Sequence, residues 1–594
     1  MGDERSTRAW WIAVVGAAAL AAVCGAWGIA RDPLEPYYEA SVRSMAGSGH
    51  AFWFGAFDPA ATLTMDKLPG AYWVQAAVVA VAGPSPVAMV LPQVVEMVLA
   101  VVVLAVAVRA LTGAPAAGVV AAFVLAVSPA AVAVARGNVA DPLMILLLVT
   151  AAWAVARALR TERPMPWLAL AGLAVGLAFQ AKMLAAWLVL PALALAFLVA
   201  APVSPGRRLT ATAVGGVVTA AVSLAWLAVV SLVPGGARPW VDGSSDDSEL
   251  TQVFVYNGLG RLGAQNPLQE LAGQGLALTA PGTGGEGPSV LRLFVGDLGR
   301  ATGWLAPTAL VALVVGLWAV RRAPRTDPLR AAYLLFGLWL LVYGVAFSAG
   351  AVINVYYVAT LAPAIAGLLG TAFAHLVEAR ERPGARLAAA AAVVGTIAYG
   401  AALVLRSEHP LVTPVVAAAV VGLVAVGLLV TARRGALVTA SVALLVLPVA
   451  ATGWLLALGG GAFDTPYEPA REVRAVRVLL VAAPRLAAGT LPGIERSRAG
   501  APDLMAVQSA AVASVFAYPT GEEVLPIGGF TGTGPTPTLD QLRDDVAAGR
   551  FHVVLSFPST DPRLVWIAQH CRAQRSVDPT FQVHVCLPAD ATRP

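Results

Sequence analysis

Apolar runs of about 20 residues, the length a helix needs to cross a hydrocarbon core, recur from Trp10 to roughly Leu458. Such runs leave only helices that satisfy their own backbone hydrogen bonds inside a bilayer. Composition agrees, since 58% of the 594 residues are hydrophobic and only 12% are charged, against about 25% charged in a soluble domain. The length criterion predicts about thirteen spans. They run over 10–30, 86–111, 114–135, 139–158, 167–181, 185–201, 209–233, 301–320, 331–347, 353–376, 387–405, 412–430 and 437–458. The first follows Arg5 and Arg8, is too long for a signal-peptide core and precedes further spans, so it reads as a retained helix.

A net charge of +5 and a pI near 9.3 would suggest nucleic acid in a soluble protein. Here the arginines sit in short clusters between apolar blocks, which is a topology signal and gives no support for a nucleic-acid partner. One set of alternate loops carries Arg5 and Arg8, Arg109, Arg157 to Arg163, Arg207 and Arg208, Arg321 to Arg330, Arg380 to Arg386, and Arg433 and Arg434. The positive-inside rule makes that set, and the N-terminus, cytoplasmic. The other set holds 31–70, the turns around 136–141, 180–183 and 348–354, the loop 234–300, and the C-terminal tail. Every polar, motif-like feature therefore falls on one face, the outer one, whereas a transporter needs access from both faces and places polar groups near mid-membrane.

The outer loop over 31–85 reads as two interfacial helices with an irregular connection. Tyr38, Val42 and Met45 recur at helical spacing over 37–46, and 70–83 is apolar but too short to span. The tail, 463–594, changes grammar to an α/β domain. VRVLLVAA, EEVLPIGGF, FHVVLSF and FQVHVCL read as strands, and 503–517 and 538–548 as helices. Thr538 with Gln541 forms a capping box, and Gly549 ends that helix. Cys571 and Cys586 form a disulfide if the tail lies outside the cytoplasm, while Cys24 reads as a buried thiol in the first span.

The residues able to carry chemistry concentrate in the outer loop: Asp32, Glu35, Glu39, Asp58, Asp66 and Lys67. Carboxylates can act as general base, and a lysine can stabilise a departing phosphate; the bland alternative is a set of solvated loop charges. Asn138 and Asp141 sit at the start of the fourth span, where an acid also serves as a helix cap. Lys182, at an outer boundary, suits either a phosphate contact or snorkelling. Ser244, Ser245, Asp246, Asp247 and Asn257 offer hydroxyl, carboxylate and amide groups for a sugar or acceptor; Tyr356 and Tyr357 open the tenth span, where interfacial tyrosines are usual. No metal-spaced His or Cys pairs, P-loop or strand-borne GxGxxG occurs. No cofactor is therefore expected, a metal requirement stays open, and a substrate already in the membrane is favoured over a nucleotide sugar.

These motifs carry a family resemblance. YYEASVRSM, HAFWFGAFDP, TMDKLPGAYWVQ, RGNVADPLMILLL, AKMLAAWLVLPA, RPWVDGSSDDSELTQVFVYNGLGRL, NVYYVATLAPAIAGLLG and the tail's VLPIGGFTGTGPTPTLDQLRDDVAAGRFHVVLS resemble the family-39-type glycosyltransferases of the membrane-embedded C class. That class includes protein O-mannosyltransferases, lipid A aminoarabinose transferases and a bacterial mannosyltransferase-like branch. The resemblance implies a polytopic α-helical membrane fold of about 13 spans with a small outer C-terminal α/β domain. It further implies a polyprenyl-phosphate sugar donor and an acceptor, be it glycan, lipid or protein, at the outer face of the cytoplasmic membrane. Inversion at the anomeric carbon goes with it, the sugar being mannose or another hexose or pentose.

By resemblance, Glu35, Asp58 or Asp66 is catalytic, Lys67 and Lys182 bind the donor phosphate, and Tyr38, Asn138, Asp141, Ser244, Asp246, Asn257, Tyr356 and Tyr357 bind substrate. Three motifs depart from the family pattern. The acidic pair that ends the family's first span falls on Leu34 and Glu35, so the base stays open among Glu35, Asp32, Asp58 and Asp66. The DKPP-like element reads Asp66-Lys67-Leu68-Pro69, and the HPYY-like element reads Asn354-Val355-Tyr356-Tyr357. A transporter or flippase, or an inactive lipid-sugar-binding relative, are the alternatives.

Overall fold

A computed structural model describes residues 2–30, 34–261, 287–351, 353–407, 409–467, 483–576 and 580–592. The chain divides into two compact units, each assembled from stretches distant in sequence. Met1–Asp32, Val90–Leu224 and Gly282–Val473 make the first; Pro33–Met89, Ala225–Pro281 and Arg474–Pro594 make the second.

The first unit is helical. Eleven helices among the described residues are long and apolar enough to cross a membrane, or twelve with one bent pair. The expectation of about thirteen differs at two places, and proline explains both. The run 114–135 is two helices, Pro115–Ala126 and Pro129–Ala135, bent by 62°, because Pro129 removes an amide donor and keeps Ser128 extended. The run 185–201 is a short turn, Leu184–Trp187, followed by Leu190–Ala200 with Pro191 in its first turn. Its length falls below that of the other spans. Elsewhere the helices pack through small residues, which let backbones approach closely where lipid offers no hydrophobic drive. Gly172 of the Met165–Lys182 helix faces Gly215 of Pro205–Ser231 so closely that a Cβ on Gly172 would lie 2.3 Å from the Gly215 carbonyl oxygen.

The second unit joins the loop between the first two spans to the tail. That loop holds three helices rather than two, Pro36–Gly47, Gly49–Phe54 and Gly70–Ala82. The first has Glu35 as its cap and Pro36 at its start, the arrangement a pre-set φ favours. The added helix is capped by the Ser48 hydroxyl, which accepts from the Ala51 N–H, and ends at Gly55 in the left-handed region. Ala56 bridges Thr64, and Leu63 bridges Trp240, so the segment around Asp58 and Asp66 is pinned to the loop that contains Asp242.

Among the described residues the tail carries a five-stranded sheet in the order β2-β1-β3-β5-β4, with β1 Met505–Gln508, β2 Val524–Ile527, β3 Val553–Ser556, β4 Arg572–Gln574 and β5 Gln582–Val585. β1 runs parallel to both β2 and β3, while β5 is antiparallel to β3 and β4. The expected helix over 503–517 is corrected. Its first part is β1, buried on both faces and so lacking the alternation of a half-exposed strand, and the helix is Ala510–Thr520. The expected strands in EEVLPIGGF, FHVVLSF and FQVHVCL are β2, β3 and β5; VRVLLVAA lies outside the described residues. The Thr538–Gln541 capping box is formed, with both reciprocal hydrogen bonds, and Gly549 follows at φ +66. Cys571 and Cys586 form the disulfide, and Cys24 is a buried free thiol.

Replacing Gly172 by Leu is expected to force the two helices apart and destabilise the protein by about 1–3 kcal/mol. Gly216→Ala, with nothing within 4 Å of its added Cβ, is expected to leave the detergent-solubilised melting temperature unchanged, and thermal unfolding of both variants checks this.

Candidate active site

In the second unit, one phenol ties the loop over 34–85 together. The Tyr37 hydroxyl accepts the backbone N–H of Asp66 at 2.8 Å and donates to the Asp242 carboxylate at 3.4 Å. Helix Pro36–Gly47 aims Tyr37 inward, and its fully buried ring stacks on Phe57 at 5.1 Å between centroids. Asp66 in turn binds the Lys67 ammonium at 2.9 Å. The same ammonium lies 4.8 Å from the centre of the Tyr38 ring, so a carboxylate and an aromatic face share one cation. Asn257 donates to the Asp66 carbonyl at 2.8 Å, and Gln252 donates to the carbonyls of Met65 at 2.9 Å and Asp242 at 2.8 Å. The Thr251–Tyr256 turn thus fixes the backbone on which Asp66 and Lys67 stand.

Glu35 caps the Pro36–Gly47 helix by accepting the Tyr38 N–H at 2.9 Å. Burial of its carboxyl pushes its pKa up to about 7, against the opposing pull of the Tyr38 N–H and the Lys67 charge. A carboxyl poised there exchanges its proton near neutrality, as a general base requires. Glu39, one turn further, is pushed up to about 8 by burial and by the charge of Glu35. Asp242 is raised to about 7 by burial and by the negative charge of Asp66, although Gly243, Phe530 and Tyr37 all donate to it.

Asp58 is built differently. Its two oxygens accept the backbone N–H groups of Thr62 at 2.8 Å and Leu63 at 3.0 Å, closing the loop that leads to Asp66. It also hydrogen-bonds the Glu523 carboxyl; burial raises both acids, and two buried carboxyls in contact retain a proton between them. Ser244 donates to the Val241 carbonyl at 2.6 Å, and Asp246 accepts from Thr251 at 2.9 Å, so each makes a local turn contact.

In the first unit, Asp141 begins helix Asp141–Ala158 and Lys182 ends helix Met165–Lys182, where the two form a buried ion pair. The Lys182 ammonium also lies 4.8 Å and 4.2 Å from the ring centres of Tyr356 and Tyr357. Met183 follows at φ +51, a left-handed position for a side-chain-bearing residue that turns the chain sharply after the lysine. Asn138 is buried in the adjoining turn, beside Arg136, which donates to the carbonyls of Gly460, Cys24 and Trp27. Asn354 donates to the Tyr356 hydroxyl at 3.1 Å.

The expected residues therefore fall into two groups. Glu35, Tyr38, Asp66, Lys67 and Asn257 share one network of the second unit, and Asp141, Lys182, Tyr356 and Tyr357 share one of the first. Asp32 lies outside the described residues. Sequence reading missed Tyr37, Asp242, Gln252 and Glu523. Only Asp242 carried a local signal, the Asp242-Gly243 turn dipeptide; the others matter through partners remote in sequence. No group of three or more His, Cys, Asp or Glu side chains suited to a metal occurs among the described residues.

Comparison with known proteins bears on this arrangement. Residues 66–232 match the family model for dolichyl-phosphate-mannose-protein mannosyltransferase, and residues 493–570 match the C-terminal domain model named "Putative mannosyltransferase YkcB-like". Two Bacillus subtilis (strain 168) proteins are similar over most of their length. "Putative mannosyltransferase YkcB" is 27% identical, covering 88% of this chain and 86% of the relative. "Putative mannosyltransferase YycA" is 26% identical, covering 87% of each. The fold is shared with ArnT from Cupriavidus metallidurans, solved bound to undecaprenyl phosphate, at a TM-score of 0.57, 19% identity and 99% coverage of both chains. With Asp66 and Lys67 opening the mannosyltransferase match and much of the tail inside a domain match of its own, the chain is similar over most of its length to membrane-embedded glycosyltransferases of the C class.

Proposed function

We propose that this protein moves a sugar from a polyprenyl-phosphate carrier to an acceptor hydroxyl at the outer face of the cytoplasmic membrane, with Glu35 as base and Lys67 as the phosphate-binding cation. The observation that carries the reading is a carboxyl poised near neutrality beside a lysine whose backbone is fixed by Tyr37 and Asn257. The Arg-rich alternate loops support a cytoplasmic N-terminus and an outer tail, and the tail's disulfide accords with an oxidising compartment. The undecaprenyl phosphate in ArnT supports the class of donor.

In this mechanism the Glu35 carboxylate takes the proton of the acceptor hydroxyl as its oxygen attacks the anomeric carbon. The bond from that carbon to the phosphate oxygen breaks, and its electron pair leaves on the polyprenyl phosphate. Attack from the face opposite the leaving group gives a glycoside of inverted configuration. Lys67 balances the charge that develops on the leaving phosphate, and Asp66 with the Tyr38 face holds that ammonium in place. Asp58, whose oxygens are engaged by Thr62 and Leu63, is assigned to loop structure. Lys182 carries the second phosphate-binding assignment, with Tyr356 and Tyr357 flanking it. Mannose is the sugar proposed first, because both curated relatives bear that name.

Transfer from radiolabelled polyprenyl-phosphate mannose, with membranes supplying the acceptor, tests the assignments. Glu35→Gln is expected to lower kcat by about 10²–10⁴-fold, and a variant of undiminished activity removes Glu35 from the mechanism. Because burial raises this acid, its base form is lost below about pH 7; kcat/KM should therefore rise with pH through about 7 and level off above it. A profile flat from pH 5 to 8 contradicts the assignment.

Lys182→Met separates the two roles open to that lysine. Breaking a buried ion pair costs about 3–5 kcal/mol, so the single variant should melt lower and Lys182→Met with Asp141→Leu should recover most of the loss. Recovery of stability with the donor KM still raised is the outcome expected of a phosphate contact; recovery of both shows that the pair is structural only.

A further inference from the structure

The C-terminal domain belongs to the same compact unit as the outer loop, and one of its loops ends inside the network around Asp66. β1 is flanked by β2 on one side and β3 on the other, both parallel to it. In open parallel sheets this reversal of strand order opens a crevice beyond the carboxyl ends of the strands, where ligands commonly bind. Here the segment leaving β2, Gly528 to Gly534, lies at that end and is anchored to β1. The Ala510 N–H donates to the Gly529 carbonyl at 2.8 Å, the Ser509 hydroxyl to the Phe530 carbonyl at 2.6 Å, and Gln508 to the Gly532 carbonyl at 3.3 Å. Gln508 also accepts the Phe557 N–H, beyond β3, at 2.9 Å.

Anchored in this way, the loop presents Phe530 outward. Its backbone N–H donates to both oxygens of Asp242, at 3.2 and 3.0 Å. Its ring meets Tyr37 edge-on, 4.8 Å between centroids. Gly529 sits at φ +66, and a Cβ there would lie 2.2 Å from the Asp242 Oδ1. Only glycine combines that backbone conformation with that approach. From Asp242 the contacts continue through the Tyr37 hydroxyl to the Asp66 N–H and on to Lys67.

We infer that Phe530 is a positioning residue for sugar transfer, setting Asp242 and Tyr37 and through them the Asp66–Lys67 pair. The C-terminal domain on this view is a working part of the site as well as any binding module, and this rests on the function proposed above. Two further joints fit the same role. Arg43, on the helix that carries Tyr37, donates to the carbonyls of Tyr518 and Thr520, and the Ala60 N–H donates to Glu523 at 2.7 Å.

The test uses the full-length protein in detergent as wild type, Phe530→Ala, Gly529→Ala and Phe530→Tyr. Two readouts are taken: hydrogen–deuterium exchange of the segment 63–68, which contains the Asp66 amide, and the kinetics of transfer from polyprenyl-phosphate mannose. Phe530→Ala and Gly529→Ala are expected to speed exchange in 63–68 at least tenfold while β1 and β3 stay protected. They should also lower kcat at least tenfold with the donor KM within twofold of wild type. Phe530→Tyr, which keeps the ring against Tyr37, should restore both readouts.

Unchanged exchange in 63–68 overturns the inference, as does exchange rising equally in β1 and β3, or kcat unchanged despite faster exchange. Phe530→Tyr behaving like Phe530→Ala also overturns it. If the wild type transfers no sugar but exchange responds as expected, the coupling from Phe530 to Asp66 stands and the proposed reaction falls.

Discussion

Everything in the network around Asp66 depends on one hydroxyl that both accepts and donates. The Tyr37 phenol satisfies the Asp66 N–H and at the same time donates to Asp242, so two loops remote in sequence are registered against each other through a single buried oxygen. A buried backbone N–H without such a partner costs about 1–3 kcal/mol, which makes the position of Asp66 a consequence of the helix that carries Tyr37. Lys67 follows automatically, because its ammonium is bound to the Asp66 carboxylate and covered by the Tyr38 ring.

The two lysine sites share one solution to a common problem. An ammonium withdrawn from water needs compensation, and at Lys67 and at Lys182 it comes from an aspartate plus tyrosine faces. Aromatic faces stabilise a cation without adding a second negative charge that would repel an incoming anion. Two acids of the same loop are held in different surroundings. Glu35 is raised to about 7, whereas Asp58 is bound by two backbone N–H groups and shares a proton with Glu523.

Much of this organisation is visible in the one-dimensional pattern, and the failures have physical causes. The spans are read from length and hydropathy, and the two that depart from a single long helix in number do so where Pro129 and Pro191 interrupt the amide ladder. The capping box at Thr538 and Gln541 is local, so it is legible without tertiary context. β1 was hidden because burial on both faces erases the period-two signal and leaves a short apolar run that reads equally as helix. Within the candidate site, Lys67 and Asp66 stand out in the sequence because they are adjacent, and Glu35 because it stands in register with a recognisable motif. Tyr37 was overlooked beside Tyr38, since which of two neighbouring tyrosines faces the loop depends on the helix's orientation.

The sequence by itself determined that the chain crosses a membrane many times, that many of its ionisable side chains gather in the loop over 31–85, and that a mixed α/β domain follows. These properties follow from composition, helical periodicity and local capping, which act over a few residues to a few turns. Only the tertiary structure decided that burial raises Glu35, Glu39 and Asp242 toward neutrality, that Asp58 is locked into a turn, and that Asp242 and Phe530 join the network. Those outcomes are set by desolvation and by hydrogen bonds between remote segments, such as the one between Phe530 and Asp242, 288 residues apart, and no local pattern encodes a partner at that distance.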